Sequence, residues 1–181
     1  MTRAPGAQAV LPHMASIATR IAEAGDKPAI WALFQSAMKH HIEAIWGWDE
    51  AWQVANLDAA FSTSVIYVVE TDGAFCGYYQ LDIRPDETYL RMFVLASEVR
   101  FKGVGAQLLA EVHRRSLQAG RGLGLRVFRV NSDAKRFYER EGWHVAAEED
   151  ISFLMSHPIN PPKRCLPYEL SATEFEISFK A

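Results

Sequence analysis

Residues 88–110 constrain the chain most, because they read as three elements in strict succession. Tyr89 to Leu95 is an aromatic and apolar run with the composition of a buried strand. A basic, glycine-containing loop follows, Arg100-Phe101-Lys102-Gly103-Val104-Gly105. After it Ala106, Leu108, Leu109, Val112 and Leu117 recur at helical spacing. Glycine lets the backbone turn tightly and approach a ligand. The first N–H groups of a helix have no partner within it and carry the positive end of its dipole. A loop of this kind predicts a phosphate-binding site, with Arg100 and Lys102 adding formal charge at its mouth.

Other glycine loops fit less well. The dinucleotide fingerprint needs a third glycine where Leu108 stands, and an acidic residue closing the next strand, where the chain has Asn131. The Gly-x-x-x-x-Gly-Lys-Ser/Thr pattern of a P-loop is absent. An ordinary strand-to-helix turn with surface Lys and Arg is the remaining alternative for the hexapeptide taken by itself.

A second motif lies downstream, Asn131-Ser132-Asp133-Ala134-Lys135-Arg136-Phe137-Tyr138-Glu139-Arg140-Glu141-Gly142-Trp143. Asn131 or Ser132 caps a short helix containing Phe137 and Tyr138. Gly142 ends it in the left-handed conformation, and Trp143 opens another strand. Together the segments resemble the GCN5-related N-acetyltransferases (GNAT). Their pyrophosphate loop is Gln/Arg-x-x-Gly-x-Gly/Ala, and their second segment is Asn-x-x-Ala-x-x-Phe/Leu-Tyr-x-x-x-Gly-Phe, with Trp143 here in place of the commoner phenylalanine.

The resemblance implies acetyl-CoA as co-substrate and transfer of its acetyl group to a primary amine. It implies cofactor contacts from Arg100, Phe101, Lys102, Gly103, Val104, Gly105 and Ala106 in the loop and first helical turn. Asn131 would reach the cofactor and Phe137 would pack on its pantetheine arm. Backbone N–H groups around Phe93, Val94 and Leu95 would meet the thioester oxygen. Tyr138 would stand beside the sulfur as general acid, a role worth about 10²–10⁴-fold; the alternative for Tyr138 is a plain core aromatic. Family members often carry a glutamate base on the strand before the loop. Here that strand carries Tyr89 and Arg91, and the nearest acids are Asp82, Asp86 and Glu87. Proton loss through water is therefore expected, with Asp82 as a weak base candidate. An acyl-CoA-binding module without turnover is the alternative function.

The rest of the chain fits a mixed α/β sheet, an antiparallel meander followed by βαβ, with helices on both faces. Residues 1–13 read as a flexible tail, 14–158 as the acetyltransferase domain and 159–181 as a C-terminal extension whose structure the sequence does not decide. A first strand is expected within Ala15–Ile21, and Pro28–Trp46 reads as an amphipathic helix with Asp26 as its cap. Trp46-Gly47-Trp48-Asp49-Glu50-Ala51-Trp52 either lines a pocket for a small cationic amine, through Trp46, Trp48 and Asp49, or packs the first helix and caps the second. Strands are expected at 64–70, 74–83, 125–130 and 151–155, with turns at Thr71-Asp72-Gly73 and Arg84-Pro85-Asp86-Glu87.

A net charge of −3 gives no sign of general nucleic-acid or membrane-surface binding. Cys76 and Cys165 have no metal-ligand spacing, and adjacent His40 and His41 lack the i, i+4 spacing of helical metal ligands, so no metal is expected. No apolar run spans a membrane and no signal peptide is visible, so a cytoplasmic protein acting on a small-molecule amine is expected, with a homodimer left open.

Overall fold

The computed structural model describes residues 16–100 and 102–158. The tail at 1–13, Phe101, Cys165 and the extension at 159–181 lie outside the described residues. The elements run β1 (Ile17–Ile21), α1 (Lys27–Trp46), α2 (Glu50–Thr63), β2 (Val65–Thr71), β3 (Ala74–Ile83), β4 (Glu87–Leu95), α3 (Val104–Gln118), β5 (Gly122–Phe128), α4 (Ser132–Arg140), β6 (His144–Glu148) and β7 (Ser152–His157). They form a seven-stranded sheet in the order β1-β2-β3-β4-β5-β7-β6. β1 to β4 are an antiparallel meander, and β5 joins β4 in parallel after the α3 crossover. This is the mixed α/β architecture expected.

Local chemistry accounts for the turns. Asp72 and Gly73 both have positive φ, 51° and 79°, as a two-residue hairpin loop of the mirror-image type requires. The 84–87 turn closes through Arg84 N–H donating to the Glu87 carbonyl at 2.9 Å. Asp49 caps α2 by accepting from the Trp52 N–H at 3.0 Å. Asp26 does not cap α1 with its side chain. Its carboxylate turns back instead to the Glu23 N–H at 2.8 Å and to the Arg20 guanidinium. The expected 125–130 strand is shifted: β5 begins at Gly122 and stops at Phe128. Beyond it the chain turns, with Asn131 N–H donating to the Phe128 carbonyl.

The sheet separates two cores. On one face α3 buries Val104, Leu108, Leu109 and Val112 against Leu90, Leu123, Leu125 and Met155, and Tyr138 and Trp143 from the α4 region join them. On the other, Ile30, Phe34 and Ile42 of α1 and Ala60 of α2 pack on Ile66, Val68, Tyr78, Val94 and Phe128. Each fully buried aliphatic side chain of this kind contributes about 1.5–3 kcal/mol. Among the described residues no helix is long and apolar enough to cross a membrane.

Candidate active site

The site is a fork in the sheet. β4 and β5 pair over Glu87–Leu90 and Gly122–Leu125, ending at the pair Leu90 and Leu125. Both strands then continue, β4 to Leu95 and β5 to Phe128, without pairing to each other. The bend comes from a bulge: Gln80 faces Met92 and Leu81 faces Leu90, so Arg91 is an extra residue in β4. A bulge bends its strand and ends local pairing. Beyond Leu90, alternate main-chain groups of β4 on the β5 side therefore point into the opening. Phe93, Val94 and Leu95 lie on this unpaired stretch.

β4 also runs unusually close to β3 here. A β-carbon added at Gly77 would sit 2.7 Å from the Val94 carbonyl oxygen and 2.5 Å from Leu95 Cδ2. Gly77 thus does more than thin a strand position: it lets the end of β4 close down on β3.

At the mouth of the fork stands the N-terminus of α3. Gly103 holds the left-handed conformation at φ 80°, and no side chain caps the helix. The first-turn N–H groups of Val104, Gly105 and Ala106 thus face outward, with the positive end of the dipole behind them. Gly103 and Lys102 are exposed. Arg100 is not simply a charge at the mouth. Its Nε donates to the Leu95 carbonyl at 2.9 Å, tying the loop to the end of β4. These groups fit a pyrophosphate: open donors, flanking cations and no side chain in the way.

α4 closes the other side. Asn131 caps it, its Oδ1 accepting from the Ala134 N–H at 3.1 Å, which leaves the amide Nδ2 as the group able to meet a ligand. Gly142, at φ 89°, ends the helix, and the Trp143 N–H reaches back to the Tyr138 carbonyl. Phe137 is half-buried and stacks on Phe93, rings 6.3 Å apart and 9° from parallel, so it bridges α4 and the diverging strand. Tyr138 is buried beside Trp143, and burial pushes its phenol pKa up. The phenol is therefore held in its neutral form.

On the other face, the base of the fork is polar. Asp82 lies opposite Tyr89 across β3 and β4. Its carboxylate accepts from Ser64 Oγ at 2.5 Å and from the Arg91 guanidinium. β4 begins at Glu87, so the strand does hold a carboxylate, contrary to the expectation of none. Glu87 receives Arg84 Nη1 at 2.7 Å. Sequence reasoning missed a further group here. Arg126, the first β5 residue past the fork, makes a bidentate ion pair with Glu149, to which Ser152 Oγ also donates. Burial alone would raise the Glu149 pKa, but the bonds from Arg126 and Ser152 hold it below the usual carboxylate value. The basic alternation of Leu125 to Val130 was its visible trace.

The tryptophan segment is largely occupied by packing. Trp48 lies 6.0 Å from Trp31 and 6.1 Å from Phe34, with Lys39 over its ring. Trp46 meets Phe128 edge-on at 5.5 Å, which places it at the end of β5 beyond the fork. Asp49 caps α2, as described. His40 and His41 have ring centroids 3.7 Å apart, and no group of three or more potential metal ligands occurs among the described residues.

Comparison with known proteins agrees with this geometry. The acetyltransferase (GNAT) domain family matches residues 62–145. A 5-NmdU N-acetyltransferase of Pseudomonas phage PaMx11 is 33% identical over 93 residues; the match takes in 50% of this chain and spans 65% of that protein's length. The PaiA N-acetyltransferase of Thermoplasma acidophilum, solved with coenzyme A, superposes with a TM-score of 0.64 at 20% identity, covering 78% of this chain and 98% of that one. A GNAT family acetyltransferase of Elizabethkingia anophelis, solved with acetyl-CoA bound, gives 0.59 at 16% identity, covering 78% and 97%. Residues 62–145, from the end of α2 to the start of β6, are thus similar to the GNAT acetyltransferase domain, and the match spans just under two thirds of the phage relative's length.

Proposed function

We propose that the protein transfers an acetyl group from acetyl-CoA to a primary amine by direct attack, with Tyr138 as the general acid. The observation that supports this reading is the fork between β4 and β5, with the uncapped α3 N-terminus at its mouth; Tyr138 is buried in the core on the α3 side of the sheet. Acetyl-CoA would supply the activated thioester. The N–H groups of Val104 to Ala106, with Arg100 and Lys102, would hold its pyrophosphate. Phe137 and Asn131 would flank the pantetheine arm. A main-chain N–H of the unpaired 93–95 stretch would meet the carbonyl oxygen as negative charge grows there, a contribution of about 3 kcal/mol per donor. Tyr138 would protonate the sulfur as the carbon–sulfur bond breaks, and would regain its proton from solvent.

The amine must first lose its own proton. Both Asp82 oxygens already accept bonds, from Ser64 and Arg91, which favours water as the carrier and leaves Asp82 as the weaker candidate. For the acceptor we propose a small cationic amine. Asp82 and Glu149 on the polar side of the fork support this better than Asp49 does, because Asp49 serves as a helix cap. The phage relative is named for acetylating 5-NmdU, so that compound is the second acceptor to test. For its setting we propose the cytoplasm.

The test has two parts. Thermal unfolding with acetyl-CoA, against NADH as control, reads binding; a ligand at about 100 times its Kd adds about 2.7 kcal/mol of stability. Release of free CoA with an amine panel reads turnover. Binding without turnover would point to the alternative of an acyl-CoA-binding module. No binding in folded protein free of co-purified CoA would overturn the proposal.

A further inference from the structure

We propose that Tyr89 is a second catalytic tyrosine, whose hydroxyl holds the attacking amine in line with the thioester carbonyl, and that Arg126, fixed by Glu149, sets the orientation of that hydroxyl. This rests on the acetyl-transfer reading above.

Position is the first argument. Tyr89 pairs with Gly124, the pair immediately before the last one in the short parallel ladder. It therefore stands at the base of the fork, on the opposite face from Leu90 and the α3 core. At Gly124 a β-carbon would run into the Glu87 carboxylate, while Tyr89 Cδ2, at 3.8 Å, would be in ordinary contact with it.

Surroundings are the second. Tyr89 is 4% exposed, yet it belongs to neither hydrophobic cluster. Guanidinium groups cover its ring, with the Arg84 carbon 4.7 Å from the centroid and those of Arg91 and Arg126 each 5.9 Å away. Burying a phenol and a guanidinium together is unfavourable beside an apolar filling, unless the polar atoms have partners to meet.

Orientation is the third. Arg126 Nη1 donates to the Tyr89 hydroxyl oxygen across 3.5 Å, and the Arg126 Nε and Nη2 atoms are held by Glu149 at 2.9 and 2.8 Å. With one lone pair turned to Arg126, the hydroxyl proton and the other lone pair are left for a different partner. Past Leu90 and Leu125 no ladder bonds join the two strands, so the opening connects the face that carries Tyr89 with the face on which Tyr138 is buried. Their proximity is felt electrostatically, since Tyr89 adds to the upward shift of the Tyr138 phenol.

Burial also keeps the Tyr89 phenol protonated, despite the arginines that pull the other way. Tyr89 is therefore not the base. A neutral phenol oxygen accepts one N–H of the amine and so directs the nitrogen lone pair at the carbonyl carbon. Alignment of this kind is worth about 10²-fold in rate.

The test is Tyr89→Phe, which removes the hydroxyl and keeps the ring. Wild-type turnover is first measured as CoA release with spermidine, lysine amide and 5-NmdU, and with acetyl-CoA binding followed by thermal shift. In Tyr89→Phe, kcat is expected to fall about 10²-fold, with an unchanged KM and thermal shift for acetyl-CoA. Arg126→Gln is expected to lower kcat in the wild-type background and to have no further effect in the Tyr89→Phe background, a dependence that a purely structural arginine would not show. A Tyr89→Phe enzyme within twofold of wild type sinks this inference alone. A wild type that binds acetyl-CoA and turns over none of the amines sinks the transfer reading, and this one with it.

Discussion

Phe137 lies against Gly105 so closely that a β-carbon at position 105 would fall 3.0 Å from its Cζ atom. The aromatic ring of α4 and the first turn of α3 are thus fitted to each other across the mouth of the fork. Gly105→Ala forces Phe137 aside, and with it the wall of the proposed pantetheine channel. Acetyl-CoA affinity is expected to weaken about tenfold, or about 1.4 kcal/mol. Isothermal titration of the variant checks this, and an unchanged Kd would count against the placement of Phe137 on the cofactor.

Gly103 fails for the opposite reason. Nothing lies within 4 Å of a β-carbon there, but the backbone sits at φ 80°. Gly103→Ala is expected to lose about 1–2 kcal/mol through strain alone, a fall of roughly 2–8 °C in the unfolding midpoint. Differential scanning calorimetry separates the two glycine variants, since Gly105→Ala leaves the backbone geometry acceptable.

Gly77 tests how the fork is formed. A side chain here meets the Val94 carbonyl and Leu95, and the first of these is backbone and cannot rotate away. Gly77→Ala is expected to destabilise by about 1–3 kcal/mol and to weaken acetyl-CoA binding as well, because residues 93–95 line the opening. Chemical denaturation and titration on one sample read both effects.

Tyr138→Phe is expected to cut kcat by about 10²–10⁴-fold with acetyl-CoA binding intact. Stopped-time assays at saturating acetyl-CoA suffice. Wild-type kcat levels would rule out the general-acid role and leave Tyr138 as a core aromatic.

Alkaline pH should unfold the protein through its phenols. Burial raises the pKa of Tyr78, Tyr79, Tyr89 and Tyr138, with Tyr79 pushed up to about 12. A group whose pKa is higher folded than unfolded contributes stability that is complete below about pH 10 and lost as pH rises through its folded value. Phenolate absorbance should therefore lag behind that of free tyrosine above pH 10, then rise together with loss of the far-ultraviolet dichroism. Ionisation of all phenols at pH 10 in folded protein would contradict the burial of these four.

Much of the fold was legible because local chemistry set it. The Asp72-Gly73 turn, the Gly103 helix entry and the Asn131 and Gly142 helix ends are where residue type alone placed them. The same holds for the loop that leads from β4 into α3 and for the position of Tyr138 on its helix. What was not legible depends on strands far apart in sequence. Nothing near Arg126 announces Glu149, which is brought to it by β6 and β7. The bulge at Arg91 is a matter of register between β3 and β4. Asp49 had two compatible roles in the sequence, and the geometry of α2 assigned it the cap. The limits of β5 were misplaced because Leu125 to Val130 continues to alternate after the chain has turned.

The short ladder between β4 and β5 has a mechanical meaning. Among the described residues, four residue pairs stitch the meander to the β5–β7 half within the sheet. A molecule lodged in the opening would present polar atoms to the edge of β4, much as a missing strand would. The sheet would then be completed by its own substrate, and the amides of 91–95 should exchange with deuterium more slowly when acetyl-CoA is present. Occupancy of the fork would stiffen the seam between the halves, and release of CoA would loosen it once per turnover.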